Sequence, residues 1–504
     1  MTFFKKFTGN RIPRLTKWIY GLSGISRDAV DTLVSVFYLV YIQYGGVLDS
    51  NPNQYATQLA VIIGFLFLAR LWDGINDPII GSLIANTHWK IGKFKPWIFI
   101  GAIVSSLLLI IMFLLRPTGW AFVIFFIVVY LLYEFAFTLN DIAYWSMLPS
   151  LTSQTKERNE MTSIVTMFAA IGALSIVTIV PLTVAGNAAD QYGLIATITA
   201  VFFLLSQSIL FLFGQERDNP EEKIAIAQPV KTFKMYQIWI ENKPLFWIVW
   251  VLLLYYTGAS IINNFGLTYF YISLGYDAGG ALLPVLAIVF AISTTISQFL
   301  YPRIARYMSR KRMIQLSFGM LVFGYGLFYL LGSFGPLPLL PLEIMMLIPI
   351  GFLIFSGQGI FYVTIMVMLS NTVEYNQWKT GQRNESIIYS LRPLTAKLAA
   401  SIQSGVVYLF LLVSGIFSVT SQISSLENDR NNGLLTEVEV VDLANDIINQ
   451  FQIDNTWGLT IFKSGMIVIP VILFVAAYWI LNHRAQIDEK TYNNILKDLK
   501  SKHQ

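Results

Sequence analysis

The sequence predicts an all-α membrane protein with twelve transmembrane helices arranged as two bundles of six. Its 504 residues are 55% hydrophobic and only 12% charged, with a mean hydropathy of +0.60. A soluble chain carries about 25% charged residues, which excludes that class. Apolar runs of about 20 residues mark membrane helices. The twelve predicted spans are 18–44, 55–85, 97–115, 119–149, 161–186, 193–214, 244–274, 279–303, 314–334, 338–372, 386–420 and 456–482.

Basic residues are concentrated in alternate connections between these spans. They precede the first span, follow each even-numbered span and recur in the C-terminal tail, whereas the opposite loops hold little more than Arg116 and Arg430. Cytoplasmic loops carry the excess of Lys and Arg, so we expect a multi-pass protein of the inner (plasma) membrane with both termini cytoplasmic. The first 17 residues lack an apolar core and do not resemble a cleavable signal peptide.

The predicted cytoplasmic segment 215–243 divides the chain into two halves, 1–214 and 244–504. The basic turn after the second span, Lys90–Lys95, has a counterpart after the eighth, Arg303–Arg312. Equivalent loops in two halves indicate a duplicated bundle. The second half also contains an extracytoplasmic loop, 421–455, whose stretch EVEVVDLANDIINQF fits a short amphipathic helix, and a cytoplasmic tail, 483–504.

Composition and motifs exclude several functions. The chain has no cysteine and three histidines, none of them in an apolar run, so disulfides, thiol chemistry and a histidine metal site are not expected. It has no Walker loop, which argues against ATP hydrolysis. We expect no cofactor, no nucleic acid partner and a monomer.

The second span carries charged groups inside an apolar run, in RLWDGINDPIIG. Arg70, Asp73 and Asp77 follow one another at helical spacing, and Asn76 lies beside them. A charge at the centre of a membrane helix costs about 2.5–3.5 kcal/mol, so these groups should face the protein interior. Oxygen ligands of this kind suit a small hard cation. The alternative is a structural ion pair that locks helices together.

The fourth span carries a polar face in FTLNDIAYWSMLP. Thr138 lies one turn before Asp141, and Trp145 lies one turn after it. A carboxylate that accepts hydroxyl hydrogen bonds, next to an aromatic ring that stacks, suits a sugar. The alternative for Trp145 is an interfacial belt residue. The first span adds Arg27 and Asp28, and Asp31 shares a face with Asp28.

The eleventh span and the turn before it carry further charges. Lys397 lies deep in the span and could pair across the bundle, or serve a purely structural pair; Arg392 precedes it. The turn NTVEYNQWKTGQRNESI fits an ion-pair network that closes the cytoplasmic side. The residues of this predicted gate are Glu374, Lys379, Arg383 and Glu385.

Taken together, these motifs resemble the glycoside–pentoside–hexuronide:cation symporters of the major facilitator superfamily. The matching stretches are RLWDGINDPIIG with KIGKFKPW, TLNDIAYWSMLP, NTVEYNQWKTGQRNES and SLRPLTAKL, and the resemblance covers nearly all of the chain outside 421–455. It implies a coupling-cation site and a sugar site that share one aspartate. The implied cation residues are Asp73, Asn76, Asp77, Thr138 and Asp141, with the three aspartates as Na⁺ ligands if sodium is used. The implied sugar contacts are Arg27, Asp28, Asp141 and Trp145, with Lys397 near both sites.

Two positions depart from the family pattern. Thr166 stands where several relatives have a sugar-contacting arginine, and Pro393 stands where melibiose permease has a threonine. The resemblance therefore implies altered sugar contacts. The amide at Asn76, which proton-using relatives often lack, favours Na⁺ over H⁺.

We expect cation-coupled symport of a glycoside or oligosaccharide by alternating access of the two halves around a midplane site, with the cation binding first. A pentoside or a hexuronide is the first alternative. A sugar sensor without transport and a membrane enzyme that uses paired carboxylates on sugars are the others.

Overall fold

Helices account for most of the described residues. The computed structural model describes residues 11–87, 89, 91–151, 155–216, 238–331, 341–381 and 385–484, and 492, 494–495 and 497–499 of the tail. The helices are α1 (Arg14–Thr32), α2 (Tyr38–Tyr44), α3 (Pro52–Asn86), α4 (Lys95–Leu114), α5 (Trp120–Leu151), α6 (Thr155–Thr183), α7 (Ala188–Phe213), α8 (Lys243–Leu274), α9 (Leu282–Ile304), α10 (Arg310–Leu330), α11 (Pro341–Thr380), α12 (Glu385–Val413), α13 (Ile416–Asn431), α14 (Glu437–Asp454) and α15 (Thr456–His483). A π-helical segment, Leu33–Phe37, joins α1 to α2.

Eleven helical segments of the described chain are long and apolar enough to cross a membrane. They match the second to the twelfth predicted spans. The first predicted span falls on α1, the π-helical segment and α2, which are not among the eleven. The reason is the charged side chains of α1, which are Arg14, Lys17, Arg27, Asp28 and Asp31. Eleven of the twelve predicted spans are therefore confirmed, and the first stays a prediction.

The eleventh predicted span ends earlier than expected. We placed its end at 420, but α12 ends at Val413 and a separate helix, α13, begins at Ile416. Gly415 has φ +75, which L side chains rarely adopt, and this left-handed residue breaks the helix. The loop expected at 421–455 is accordingly helical through most of its length. Its amphipathic stretch forms α14, as predicted, whereas α13 was not expected.

Two compact units make up the chain. Unit 1 contains Met1–Phe65, Trp72–Pro229 and Ser418–Ile447, and unit 2 contains Leu66–Leu71, Val230–Phe417 and Ile448–Gln504. The change from unit 1 to unit 2 at 229/230 falls within the predicted middle segment 215–243. Residues 418–447 group with unit 1, although the two predicted halves assign them to the second.

Unit 1 is held together by helices that pack around an apolar core. α1 packs against α6 and α7, and α4 packs against α5 and α7. The core at the end that carries Arg14 and Lys95, which we call the near end, combines side chains from α1, α3, α4, α5, α6 and α7. Its members include Tyr20, Ile80, Ile84, Ile98, Leu139, Tyr144, Met147, Val165 and Leu210.

Glu216 closes the near end of unit 1. Its buried carboxylate accepts hydrogen bonds from the backbone N–H groups of Lys93, Phe94 and Lys95, at 2.7, 2.9 and 2.8 Å. These are donors at the N-terminus of α4, which has no side-chain cap of its own. A carboxylate there satisfies donors that the helix cannot pair and interacts favourably with its dipole. The segment that follows α7 is thereby attached to the start of α4.

Unit 2 follows the same packing principle. α8 packs against α12 and α15, and α11 packs against α9 and α10. Its core includes an aromatic group in which Tyr255 lies 5.9 Å from Phe361 and 6.0 Å from Phe474, between ring centroids. Such pairs add to the area that the rings bury. Buried Lys463 of α15 donates to the carbonyl of Leu331 at the end of α10.

Candidate functional site

Arg27 of α1 and Asp141 of α5 form an ion pair inside unit 1. Arg27 is 5% exposed, and its Nη1 donates to a carboxylate oxygen of Asp141. Its Nη2 donates to the neighbouring Asp28 at 2.6 Å. A charge taken out of water must be paired and hydrogen-bonded to be tolerated. Arg27 is therefore stabilised by two carboxylates, and the sugar residues implied by the resemblance on α1 and α5 do come together.

Two aromatic side chains frame this pair. The guanidinium carbon of Arg27 lies 5.0 Å from the ring centroid of Tyr144 and 4.8 Å from that of Trp145. A guanidinium over an aromatic face is attracted by the ring quadrupole, more strongly where water is excluded. Trp145 is 36% exposed, so part of its ring remains open. Its stacking on a sugar stays a prediction, and it would use the ring surface that Arg27 leaves open.

The predicted cation residues lie on two helices of unit 1. Asp73 and Asn76 of α3 are buried, Asp77 is half-buried, and Thr138 of α5 is buried one turn before Asp141. In the described part of the chain, no three acidic, histidine or cysteine side chains come close enough together to hold a metal ion. The carboxylate of Asp141 is bound by Arg27. The assignment of these residues to a cation site stays a prediction.

A second polar cluster lies in unit 2, on α8, α11 and α12. Nε of Arg392 donates to the hydroxyl of Tyr256 at 3.2 Å, and this hydroxyl lies 3.4 Å from that of Tyr362. The guanidinium carbon lies 5.8 Å from the ring centroid of Tyr362. Arg392 is exposed in spite of these contacts. Lys397, which the resemblance places near both sites, is half-buried on the same helix, α12.

Most of the chain matches a known protein family. The model of the family described as MFS/sugar transport protein matches residues 19–489. The chain belongs to this family. The resemblance to glycoside–pentoside–hexuronide:cation symporters is thereby confirmed, and this family is one of transporters, not of enzymes.

Relatives of this sugar transport family match at low identity. A lactose permease of Leuconostoc lactis is 27% identical over 431 residues, which are 82% of this chain and 64% of that permease. This chain thus spans less than two thirds of that relative's length. An isoprimeverose transporter of Lactiplantibacillus pentosus is 26% identical over 435 residues, 83% of this chain and 84% of that transporter.

Solved structures show the same fold. A bacterial homologue of the human lysosomal transporter Spinster, in an inward-facing and unoccupied conformation, matches with a TM-score of 0.60 and 12% identity. The match covers 93% of this chain and 97% of that one. The protein therefore has the fold of the major facilitator superfamily, which the description of its family also names.

The predicted cytoplasmic gate lies only partly within the described residues. Glu374 and Lys379 are on α11, and Nζ of Lys379 donates to the backbone carbonyl of Glu241, ahead of α8, at 2.9 Å. Arg383 and the side chain of Glu385 lie outside the described residues. The ion-pair network of the gate stays a prediction, whereas Lys379 does connect the end of α11 to the segment before α8.

Sequence reasoning did not identify the tyrosines of either cluster. Tyr144, Tyr256 and Tyr362 lie in apolar runs, where an aromatic residue usually packs in a core. Their spacing from charged residues was the available signal, since Tyr144 follows Asp141 by three positions. Thr166, at the position of the family arginine, is exposed on α6 and donates to the carbonyl of Ser163. Its hydroxyl is therefore turned back toward its own helix.

Proposed function

We propose that this protein is a secondary active transporter that carries a glycoside or oligosaccharide across the cell membrane in symport with Na⁺ or H⁺. The observation that carries the proposal is the ion-paired group of Arg27, Asp28 and Asp141, in which α1 supplies a buried guanidinium and two partly exposed carboxylates come from α1 and α5. The chain belongs to a family of sugar transporters. Ionisable groups inside a membrane bundle are costly and mark substrate or ion pathways. The names of the relatives, a lactose permease and an isoprimeverose transporter, support a glycoside as the substrate.

In this proposal the sugar binds at Arg27, Asp28, Asp141 and Trp145, with Lys397 contributing from α12. Asp28 and Asp141 accept hydrogen bonds from sugar hydroxyls, and the open part of the Trp145 ring stacks on the apolar face of the sugar. Hydrogen bonds to charged groups contribute about 1.5–3 kcal/mol each, so two carboxylates favour a polyhydroxylated ligand.

Asp141 couples the sugar to the cation. The cation binds Asp73, Asn76, Asp77, Thr138 and Asp141, and it competes with Arg27 for the carboxylate of Asp141. Arg27 then turns one of its donors to the sugar. Linkage requires that the sugar raise the affinity for the cation by the same factor. The cation is cargo of the transport reaction, and no cofactor takes part.

Both termini lie in the cytoplasm of the cell in this proposal. Arg14 and Lys17 lie at the start of α1, whereas Arg116 and Arg430 are the main basic residues of the predicted opposite loops. The near end of unit 1 is then the cytoplasmic end.

Uptake by the purified protein in proteoliposomes tests the proposal. Radiolabelled lactose, raffinose and isoprimeverose are offered with an inward Na⁺ gradient, with an inward H⁺ gradient and with neither. We expect accumulation above equilibrium with one gradient only. Asp77→Asn should abolish accumulation, whereas Glu160→Gln, which changes a carboxylate of α6 that is 60% exposed, should leave it intact. Binding without accumulation under every gradient would instead identify a sensor.

A hexuronide remains the alternative substrate, because Arg392 presents an exposed guanidinium beside Tyr256. A guanidinium binds a carboxylate through two parallel hydrogen bonds. Adding a glucuronide to the panel distinguishes the two. Uptake of the glucuronide that Arg392→Gln abolishes, without uptake of neutral glycosides, would favour the alternative.

A further inference from the structure

Residues 418–447 connect the two units in an unexpected way. This segment, which we call the strap, comprises most of α13 and the first half of α14. It groups with unit 1, whereas the residues immediately before and after it, up to Phe417 and from Ile448, belong to unit 2. The chain therefore leaves unit 2, docks on unit 1 and returns.

A buried carboxylate anchors the strap. Glu427 of α13 is 0% exposed, and its carboxylate accepts a hydrogen bond from the backbone N–H of Ala188, the first residue of α7, at 3.0 Å. The side chain of Asn187, the residue before α7, makes no capping bond. A buried carboxylate is costly unless it is hydrogen-bonded, and a helix N-terminus favours it. The cap of α7 is thus supplied by a residue 239 positions further along the chain.

Charged side chains surround this anchor at the end of unit 1 opposite the near end. Asp190 accepts from Arg430 of the strap at 2.5 Å and from Arg116 of unit 1 at 2.9 Å. These three residues line a cavity of about 360 Å³ that is open to solvent. Exposed ion pairs contribute little to stability. These ion pairs can therefore break at a small cost in free energy when the strap leaves unit 1.

Close backbone contacts complete the docking. Gly46, after α2, has φ +70, and a β-carbon there would lie 2.5 Å from the backbone nitrogen of Asn428. Nδ2 of Asn431 donates to the carbonyl of Gly45 at 3.3 Å. Val440 of α14 is fully buried. A β-carbon at Gly186, just before α7, would lie 2.7 Å from the backbone oxygen of Glu437 in α14, so both helices of the strap contact loops of unit 1.

The base of the strap is held in unit 2. Nδ2 of Asn455 donates to the carbonyl of Ser414, and its Oδ1 accepts from the N–H of Gly458. The points where the chain leaves and re-enters unit 2 are therefore attached to each other. The strap can therefore leave unit 1 without separating its own two ends.

We propose that the strap is a latch. Docked through Glu427, it holds unit 1 in the conformation seen in this structure, and transport requires it to undock. The inference rests on the proposed function, because undocking is coupled to the transport cycle. The docked strap also opens and closes in the resting protein, without any substrate.

The opening is measured first. The chain has no cysteine, so Val440→Cys introduces a single thiol at a fully buried position of the strap. We expect N-ethylmaleimide to label it slowly in membranes and Glu427→Gln, added to it, to raise the rate at least about 10-fold. Glu160→Gln at the near end, whose carboxylate is 60% exposed beside Lys17, should not change the rate. A thiol that never reacts, or a rate that Glu427→Gln leaves unchanged, would overturn the latch.

Coupling to transport is measured second. Asp190→Cys with Arg430→Cys can be joined by a short bis-methanethiosulfonate reagent, which holds the strap on unit 1 until a reductant cleaves it. We expect the joined protein to lose at least about 10-fold of its uptake rate in the proteoliposome assay and to regain it on reduction. Each single-cysteine variant treated with the reagent is the control. Full uptake by the joined protein would reject the latch. If the untreated parent transports none of the offered sugars, the proposed function fails, and the labelling experiment alone decides whether the strap undocks.

Discussion

Tyr20 and Tyr144 exchange hydrogen bonds between α1 and α5. The hydroxyl of Tyr20 donates to the carbonyl of Tyr144 at 2.5 Å, and the hydroxyl of Tyr144 donates to the carbonyl of Tyr20 at 2.7 Å. The two rings stack with centroids 4.4 Å apart. Arg27 lies two turns after Tyr20, and Asp141 lies one turn before Tyr144. This reciprocal pair therefore sets the spacing of the two helices that carry the Arg27–Asp141 ion pair.

The ring of Tyr144 and its hydroxyl should have separable effects. Tyr144→Phe keeps the ring beneath Arg27 but removes one buried hydrogen bond, which should cost about 1–2 kcal/mol of stability and leave glycoside affinity within about 3-fold. Tyr144→Leu also removes the aromatic surface under the guanidinium, so we expect affinity to fall about 10-fold, or 1.4 kcal/mol. Thermal unfolding and equilibrium binding measure the two effects.

Tyr55→Phe is the matched control for these variants. Tyr55 is fully buried and its hydroxyl donates to the carbonyl of Gln43 at 2.7 Å, at the opposite end of unit 1. It should lower stability as Tyr144→Phe does, with no change in glycoside affinity. An affinity loss as large as that of Tyr144→Leu would mean that Tyr144 acts through stability alone.

Arg27 should contribute to stability mainly as the partner of two carboxylates. Arg27→Gln leaves Asp28 and Asp141 close together without the guanidinium that they share. Losing one partner of a buried ion pair costs about 3–5 kcal/mol of stability. Because both carboxylates are partly exposed, we expect a loss at the lower end of that range. The double variant Arg27→Gln with Asp141→Asn should be more stable than the single one, since one repelling charge is removed. Unfolding curves of purified protein in detergent measure both. A double variant less stable than the single one would refute this account.

Glu216 should stabilise the near end through its charge and its geometry. Glu216→Gln removes one of the acceptor oxygens that three backbone N–H groups of α4 share, and it removes the favourable charge at the helix N-terminus. We expect a loss of about 1–3 kcal/mol in the free energy of unfolding. Glu160→Gln, which alters an exposed pair with Lys17, should change it by less than about 0.5 kcal/mol. Equal losses in the two variants would show that the cap contributes nothing.

The first turn of α14 should open at low pH. The backbone N–H and the hydroxyl of Thr436 donate to the carboxylate of Glu439, each at 2.8 Å, and they hold the pKa of Glu439 below its usual value of 4.5. Because the folded pKa is the lower one, this stabilisation is fully present above the unfolded pKa. It is lost as the pH falls through the folded pKa.

Hydrogen–deuterium exchange of α14 measures this effect. Corrected for the intrinsic rate, exchange in the first turn should accelerate below about pH 4 in the parent and show no such step in Glu439→Gln. Glu437→Gln, which leaves the capping box intact, should keep the parent profile. A step that persists in Glu439→Gln would assign the pH dependence to another carboxylate.

Much of this protein follows from its sequence, because the bilayer imposes simple rules. A membrane helix needs about 20 apolar residues, and a charge within it must avoid lipid. Those two rules predicted eleven of the observed spans and the inward location of Asp73 and Asn76. The motif RLWDGINDPIIG and its companions also placed the chain in a family of sugar transporters before any contact between helices was known.

The tertiary structure decided which of these groups meet. Helical spacing relates residues three or four positions apart, so it grouped Asp141 with Thr138 and Trp145 but could not pair it with Arg27, which lies 114 positions away on α1. The same limit hid Glu427, a lone carboxylate in a predicted loop, which the fold buries against the N-terminus of α7. The local sequence pattern shows that a charged side chain cannot face lipid, because its exposure to hydrocarbon is too costly. Only the packing of distant helices determines which partner stabilises that charge inside the protein.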